Sequence, residues 1–129
     1  MLDPEIRDLA QGNNFGSISF HLPGGAIATH VMWVHADDQY VLINTEVHRA
    51  KYKAIQANPS VTVAIWSSES PYVYAEVRGT VAGEIRGPAA REYIDFLSQK
   101  YTSENYAGEI VSERVILQIA PVRQRKNGL

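Results

Sequence analysis

Three cations stand close together in the stretch Asn44-Thr45-Glu46-Val47-His48-Arg49-Ala50-Lys51-Tyr52-Lys53-Ala54-Ile55-Gln56-Ala57-Asn58-Pro59. Arg49, Lys51 and Lys53 fall just after an apolar run, Tyr40 to Ile43, that reads as a strand. A strand feeding a capped helix with cations in its first two turns can hold an anionic ligand, because helix N–H groups and charge-assisted hydrogen bonds then converge. Thr45 is the expected N-cap, its hydroxyl accepting from an otherwise orphaned N–H. Asn58-Pro59 stops the helix, since the residue before proline is pushed out of the α region. Val47, Ala50, Ala54 and Ala57 recur at helical spacing and offer a small face to lie against a sheet. The same residues also fit a plain solvated helix with Glu46 serving its dipole, and the spacing alone leaves both readings open.

Other chemistry is sparse. His21, His30, His35 and His48 have no metal-ligand spacing, and His30 and His35 face opposite ways on one strand, so no metal is expected. No serine sits in a nucleophile elbow and no carboxylate pair is spaced for acid–base work, which leaves the catalytic residues unassigned. Gly24-Gly25 precedes no helix and is a hairpin turn rather than a phosphate loop. An enzyme with so few reactive groups would draw its chemistry from a cofactor. Met32, Trp33, Trp66, Tyr72 and Tyr74 could line a groove for a flat ring, or could pack in a core or between subunits.

The elements that must position these residues follow from periodicity. Asp3-Pro4 opens a short helix that Gly12-Asn13-Asn14 ends. Phe15 to Leu22 and Ala26 to His35 form an antiparallel pair around Pro23-Gly24-Gly25, and Gln39 to Ile43 precedes the cationic helix. Ser60 to Ser67 and Tyr72 to Glu84 are further strands, with a bulge or bend expected at Gly79. Gly87-Pro88 starts the strongest helix, whose stripe is Ala90, Ile94, Leu97 and Tyr101. Glu113 to Ala120 is the last strand, and Arg123-Gln124-Arg125-Lys126 reads as a solvated basic tail. About six strands and three short helices, mostly joined by short connections, predict a mainly β fold: a small antiparallel barrel with helices packed on it.

A chain of 129 residues, 45% hydrophobic and 20% charged, suits one soluble domain spanning 1–129. A net charge of −2 gives no basic field for nucleic acid. The absence of cysteine excludes disulfides and thiolate chemistry. No apolar leader or membrane-spanning stretch is evident, so a cytoplasmic protein is expected.

The order of segments resembles the split β-barrel flavin and deazaflavin proteins related to pyridoxamine 5′-phosphate oxidase, and within them the probable F420-dependent oxidoreductases. The likeness is carried by Ala28-Thr29-His30-Val31-Met32-Trp33-Val34, by Asn44-Thr45 with Arg49-Ala50-Lys51, and by Asn58-Pro59. Tyr74 to Val81, Gln99-Lys100-Tyr101-Thr102 and Arg114-Val115 before Pro121 continue it. The resemblance implies an FMN-binding-like split barrel and a homodimer with cofactor sites between subunits. It implies that the cofactor phosphate lies against Asn44, Thr45, Arg49, Ala50 and Lys51. It also places the ring along His30, Val31, Met32, Trp33 and Val34, with Trp66 in the opposing wall. Two departures stand out: Lys51-Tyr52-Lys53-Ala54 replaces a sequence that often carries arginine and asparagine, and the C-terminal arginine and tryptophan motif of true pyridoxamine phosphate oxidases is missing. The expected function is hydride transfer from reduced deazaflavin F420 to a small conjugated electrophile. The alternatives are an FMN-dependent oxidoreductase or a non-catalytic F420 or flavin carrier.

Overall fold

Period-two alternation of apolar residues builds one antiparallel sheet in the computed structural model, which describes residues 1–129. The strands are β1 (Phe15–His21), β2 (Ile27–Trp33), β3 (His35–Ala36), β4 (Val41–Glu46), β5 (Ser60–Trp66), β6 (Tyr74–Arg86) and β7 (Arg114–Asn127). Their order across the sheet is β2-β1-β5-β6-β7-β4-β3. The two edge strands, β2 and β3, are consecutive in the chain and separated only by the fully buried Val34. The chain therefore steps from one edge of the sheet to the other at Val34, which curls the sheet into a barrel that stays split between β2 and β4. Ile18, Phe20, Val41, Ile43, Val61, Val63, Ile65, Ala75, Val77, Val115, Leu117 and Ile119 fill the interior. This is the mainly β, split-barrel architecture that the sequence implies.

The helices are α1 (Pro4–Gln11), α2 (Ala50–Ala57) and α3 (Pro88–Thr102). Asp3 caps α1, accepting from the N–H groups of Glu5 at 2.8 Å and Ile6 at 3.4 Å, and Ile6, Leu9 and Ala10 are buried against the barrel. Helix α3 begins at Pro88 and buries Ala90, Ile94, Leu97 and Ser98. Ala90 packs with Leu42 and Ile116, so β4 and β7 are covered on both faces under α3. No helix is long and apolar enough to cross a membrane.

Four expectations are corrected. Strand β4 continues through Asn44-Thr45-Glu46, and Thr45 is a fully buried strand residue rather than a helix cap. The N-cap of α2 is Arg49, which makes no side-chain capping bond. The buried face of α2 is Tyr52, Ala54 and Ile55, while Ala50 and Ala57 are exposed, because the helix starts later and is rotated relative to the expected one. The basic tail is not a free end: it extends β7 to Asn127, with Arg123, Gln124, Arg125 and Lys126 opposite Arg78, Val77, Glu76 and Ala75. Lys126 Nζ lies 2.8 Å from Glu5 Oε1 and 3.2 Å from Asp3 Oδ2, so this one charge of the tail is partnered by the chain's start. With β3 counted, the strands number seven rather than six. The bulge near Gly79 is present as a register shift between Arg78 and Gly79.

Candidate functional site

Alternation along β4 and β7 decides what faces α3. Val41, Ile43 and Thr45 point into the barrel, so Leu42, Asn44 and Glu46 point outward. On β7, Arg114 pairs directly with Glu46, Val115 with Thr45 and Ile116 with Asn44. Glu46 and Arg114 are thus cross-strand neighbours beneath α3, with side chains 1% and 3% exposed.

Every atom of the Glu46 carboxylate is engaged. Its Oε1 accepts from the backbone N–H of Val111 at 2.7 Å and of Ser112 at 2.8 Å. Its Oε2 lies 3.3 Å from Arg49 Nη2 and 3.4 Å from Arg114 Nη1. Burial pushes the carboxyl up, but the Ser112 and Val111 N–H groups, with Arg114 and Arg49, outweigh it and hold Glu46 below its ordinary value. Arg114 is anchored through Nε to Asn44 Oδ1 at 2.7 Å, and Asn44 Nδ2 donates to the Ala90 carbonyl at 2.9 Å. Strand β7, strand β4 and helix α3 are joined through that one guanidinium.

Not all of the charge is satisfied. Arg114 Nη1 touches Glu46 but makes no hydrogen bond, and it is a buried, unpartnered donor. Lys51 pairs with no carboxylate; burial first, then Arg49 and Arg114, pull its ammonium down from 10.5 to about 8. Burial likewise lowers Arg114. Two cations share the one carboxylate and a third, Lys51, has none, so positive charge is in excess at this place.

These cations form one end of a cleft of about 310 Å³. Val31, Met32 and Trp33 of β2, Phe15 of β1, Ile94 and Leu97 of α3, and Tyr106 make the rest of its wall, with Asn44, Arg49, Lys51 and Arg114 at the polar end. Trp33 stacks on Tyr101 at 5.2 Å and 9°, and Tyr106 meets it edge-on at 6.2 Å. Tyr101 is fixed from its other end: its hydroxyl donates to the Asn14 and Val34 carbonyls. The aromatic wall is therefore held rigid before any ligand enters. Arg114 lies over the Tyr106 ring at 5.4 Å, which connects the aromatic and cationic halves. Strand β2 pairs only with β1, leaving backbone N–H and C=O groups along its other side without a strand partner.

Of the residues singled out from sequence, Val31, Met32, Trp33, Asn44, Arg49 and Lys51 converge on this cleft. The others do not line it. His30 turns away and meets Phe20 edge-on at 5.1 Å. Val34 is barrel core, Thr45 is buried with its hydroxyl unpartnered, and Ala50 is exposed. Trp66 ends β5 opposite Phe15 and Tyr74, outside the cleft. Sequence reasoning missed Arg114, Glu46, Tyr106, Phe15, Ile94 and Leu97 as site residues. A usable signal existed for two of them: Glu46 and Arg114 are charges that lie close to the apolar runs Val41–Ile43 and Val115–Leu117, where an unpaired charge is not tolerated.

The ammonium of Lys51 has a direct consequence for stability. Its folded value, about 8, lies below the ordinary 10.5, so between these values the unfolded chain binds a proton that the folded chain has lost. Stability then rises with pH across that window, and below pH 8 the fold carries the full cost of the buried ammonium. Lys51→Met should therefore raise the denaturation midpoint of the ligand-free protein at pH 7. That gain should shrink above pH 8 and be gone near 10.5. Urea denaturation from pH 7 to 10.5 checks this; a variant no more stable at pH 7, or equally more stable at both ends, contradicts it.

The chain can now be set beside known proteins. The family model for pyridoxamine 5′-phosphate oxidase matches residues 2–127. No curated protein matches the chain. Among solved structures, an F420 reductase is 25% identical, covers 98% of this chain and 100% of its own, and superposes with a TM-score of 0.78. A conserved hypothetical protein from Mycobacterium tuberculosis is 18% identical over 98% of this chain and 84% of its own, with a TM-score of 0.76. A pyridoxamine 5′-phosphate oxidase-related, FMN binding protein from Nostoc punctiforme is 16% identical over 95% and 83%, with a TM-score of 0.68. The last two share the fold.

Proposed function

The chain belongs to the pyridoxamine 5′-phosphate oxidase family, and from that premise we propose that it is an oxidoreductase dependent on the deazaflavin F420. The observation that carries this reading is the cleft itself: a rigid aromatic wall at one end and two uncompensated positive charges at the other. A flat ring joined to an anionic tail matches both ends at once. The choice of F420 rather than FMN rests on the likeness to an F420 reductase over nearly the whole chain.

Lys51, Arg49 and the unpartnered Nη1 of Arg114 would hold the phosphate, and Asn44 orients Arg114 toward it. Met32 and Trp33 would lie against the ring, and the free side of β2 offers backbone groups to its polar edge. When bound in its reduced form, F420 supplies a hydride from its C5 carbon. The chain contributes orientation and water exclusion: Phe15, Ile94 and Leu97 surround the cleft with apolar surface. Glu46, held ionised by two backbone N–H groups and two guanidinium groups, has no proton to give at neutral pH. Solvent protonates the product in this scheme, and the substrate is a small conjugated electrophile.

The protein acts as a homodimer in this reading. Phe15 and Tyr74 are 39% and 40% exposed, Val31 is 70% exposed and Tyr72 78%, and a second copy would cover such apolar surface. Light scattering at micromolar concentration with cofactor present should give twice the chain mass. A monomer mass contradicts it.

Cofactor identity is tested by titrating the protein with F420 and with FMN and following fluorescence. F420 should bind more tightly; equal or tighter FMN binding transfers the reading to a flavin enzyme. In the same assay Lys51→Ala should weaken F420 binding by about 1.5–3 kcal/mol, roughly 10- to 150-fold, and by less as salt rises. Lys53→Ala, on the exposed side of α2, should change it much less. A Lys51→Ala protein that binds F420 as the wild type does contradicts the assignment of the anion site. Oxidation of bound reduced F420 by trial acceptors separates an enzyme from a carrier.

A further inference from the structure

Glu46 is the one carboxylate among the cleft's cations, and its two oxygens do different things. Oε1 is occupied by the N–H groups of Val111 and Ser112, which fixes the turn leading into β7. A neutral amide oxygen could also accept those two bonds, though more weakly. Oε2 faces only positive charge, Arg49 on one side and Arg114 on the other. The carboxylate's charge, shared by both oxygens, is what these two guanidinium groups meet.

The surroundings confirm that nothing else shares this role. From the turn before α2, His48 places Nδ1 3.9 Å from Oε1 and 2.6 Å from Ser112 Oγ. From β4 itself, Asn44 contributes a neutral oxygen to Arg114 Nε. Tyr106 offers its ring face to the Arg114 guanidinium. Arg49, Lys51 and Arg114 therefore carry three positive charges against one negative, and two remain for a ligand.

Resting on the anion-binding reading above, we propose that Glu46 is the internal counter-ion of the cleft and the positioning residue for Arg49 and Arg114, leaving two positive charges for the anionic tail of a bound cofactor. Glu46 and the ligand then stand in for one another. Glu46 keeps the buried Arg114 folded in place when the cleft is free, and it draws on the same guanidinium groups that a bound anion needs. The protein gives up part of its possible anion affinity in exchange for a site already formed.

The test uses Glu46→Gln, which keeps the shape and the Val111 and Ser112 bonds, removes the charge, and turns an NH2 toward Arg49 and Arg114 in place of Oε2. Inorganic phosphate is the probe, with nitrate at matched ionic strength as the monovalent control. Thermal unfolding and calorimetric titration are measured on the full chain. Without phosphate the variant should unfold at a lower temperature than wild type. With phosphate its midpoint should rise by more than the wild type's, and its phosphate Kd should be tighter by about tenfold. Nitrate should produce neither effect. A purely structural Glu46 would lower the midpoint by the same amount with and without phosphate.

If wild type binds phosphate and the variant binds it no more tightly, the counter-ion role is overturned while the anion cleft stands. A variant that stays unfolded at saturating phosphate also overturns it, because the bound anion should replace the missing charge. If wild type itself shows no response to phosphate, both the anion cleft and the role of Glu46 fall.

Discussion

The pairing of Glu46 with Arg114 across β4 and β7 is the constraint on which the site depends. Two charges with side chains 1% and 3% exposed can be tolerated only if each is held by its surroundings. Glu46 is fully held: two N–H groups and two guanidinium groups surround it. Arg114 is not, because it keeps a buried donor without an acceptor. Arg114 lines the cleft together with Lys51 and Arg49, so positive charge is in excess there. The cost of the unsatisfied cations falls on the ligand-free fold and is recovered when an anion binds.

The barrel makes this arrangement possible. Because the chain crosses from edge to edge at Val34, β2 ends beside β4 without bonding to it, and a cleft opens where a closed barrel would have a ladder. Helix α3 roofs the opening, bringing Ile94 and Leu97 to one wall and the Ala90 carbonyl to Asn44. Lys100 reinforces the corner: its Nζ donates to the Val34 carbonyl at 2.7 Å and the Ala10 carbonyl at 3.0 Å, tying α3 to the step between β2 and β3 and to the end of α1. Burial lowers that ammonium too, to about 8, yet Lys100 is supplied with acceptors where Lys51 is not. The contrast separates a lysine tied into the fold from one that lines the cleft without an acceptor, as the proposed anion site requires.

Much of this was legible in the sequence where the signal is local. The helix start at Asp3-Pro4, the Pro23-Gly24-Gly25 turn and the Ala90, Ile94, Leu97 stripe each rest on signals within a few residues, and the structure has all three. Thr45 misled because threonine suits an N-cap and a β-strand equally; its place was decided by pairing with Val115, seventy residues away. The end of β7 misled because Arg123 to Lys126 reads as solvent-loving, and strand pairing with β6 leaves no trace in local hydropathy. The cationic cluster was half visible: Arg49 and Lys51 are neighbours in sequence, but Arg114 joins them only through strand order. Tyr106 carries no periodic signal, and its place beside Trp33 follows from Glu46 and Asp95 holding the segment at both ends, Asp95 accepting from the Tyr106 N–H at 3.0 Å.

The residues of the cleft thus divide by task. Aromatic side chains already packed against Tyr101 present a flat surface, the open side of β2 presents polar backbone, and three cations with one counter-ion present net charge. No single group is reactive, which fits a protein that borrows its chemistry and supplies position, dryness and charge. The most direct measurement is a crystal structure of the protein with F420 bound. The expected result places the cofactor phosphate within hydrogen-bonding distance of both Arg114 Nη1 and Lys51 Nζ, with the ring against Trp33. A phosphate bound elsewhere, with Arg114 Nη1 still unpartnered, would contradict the account.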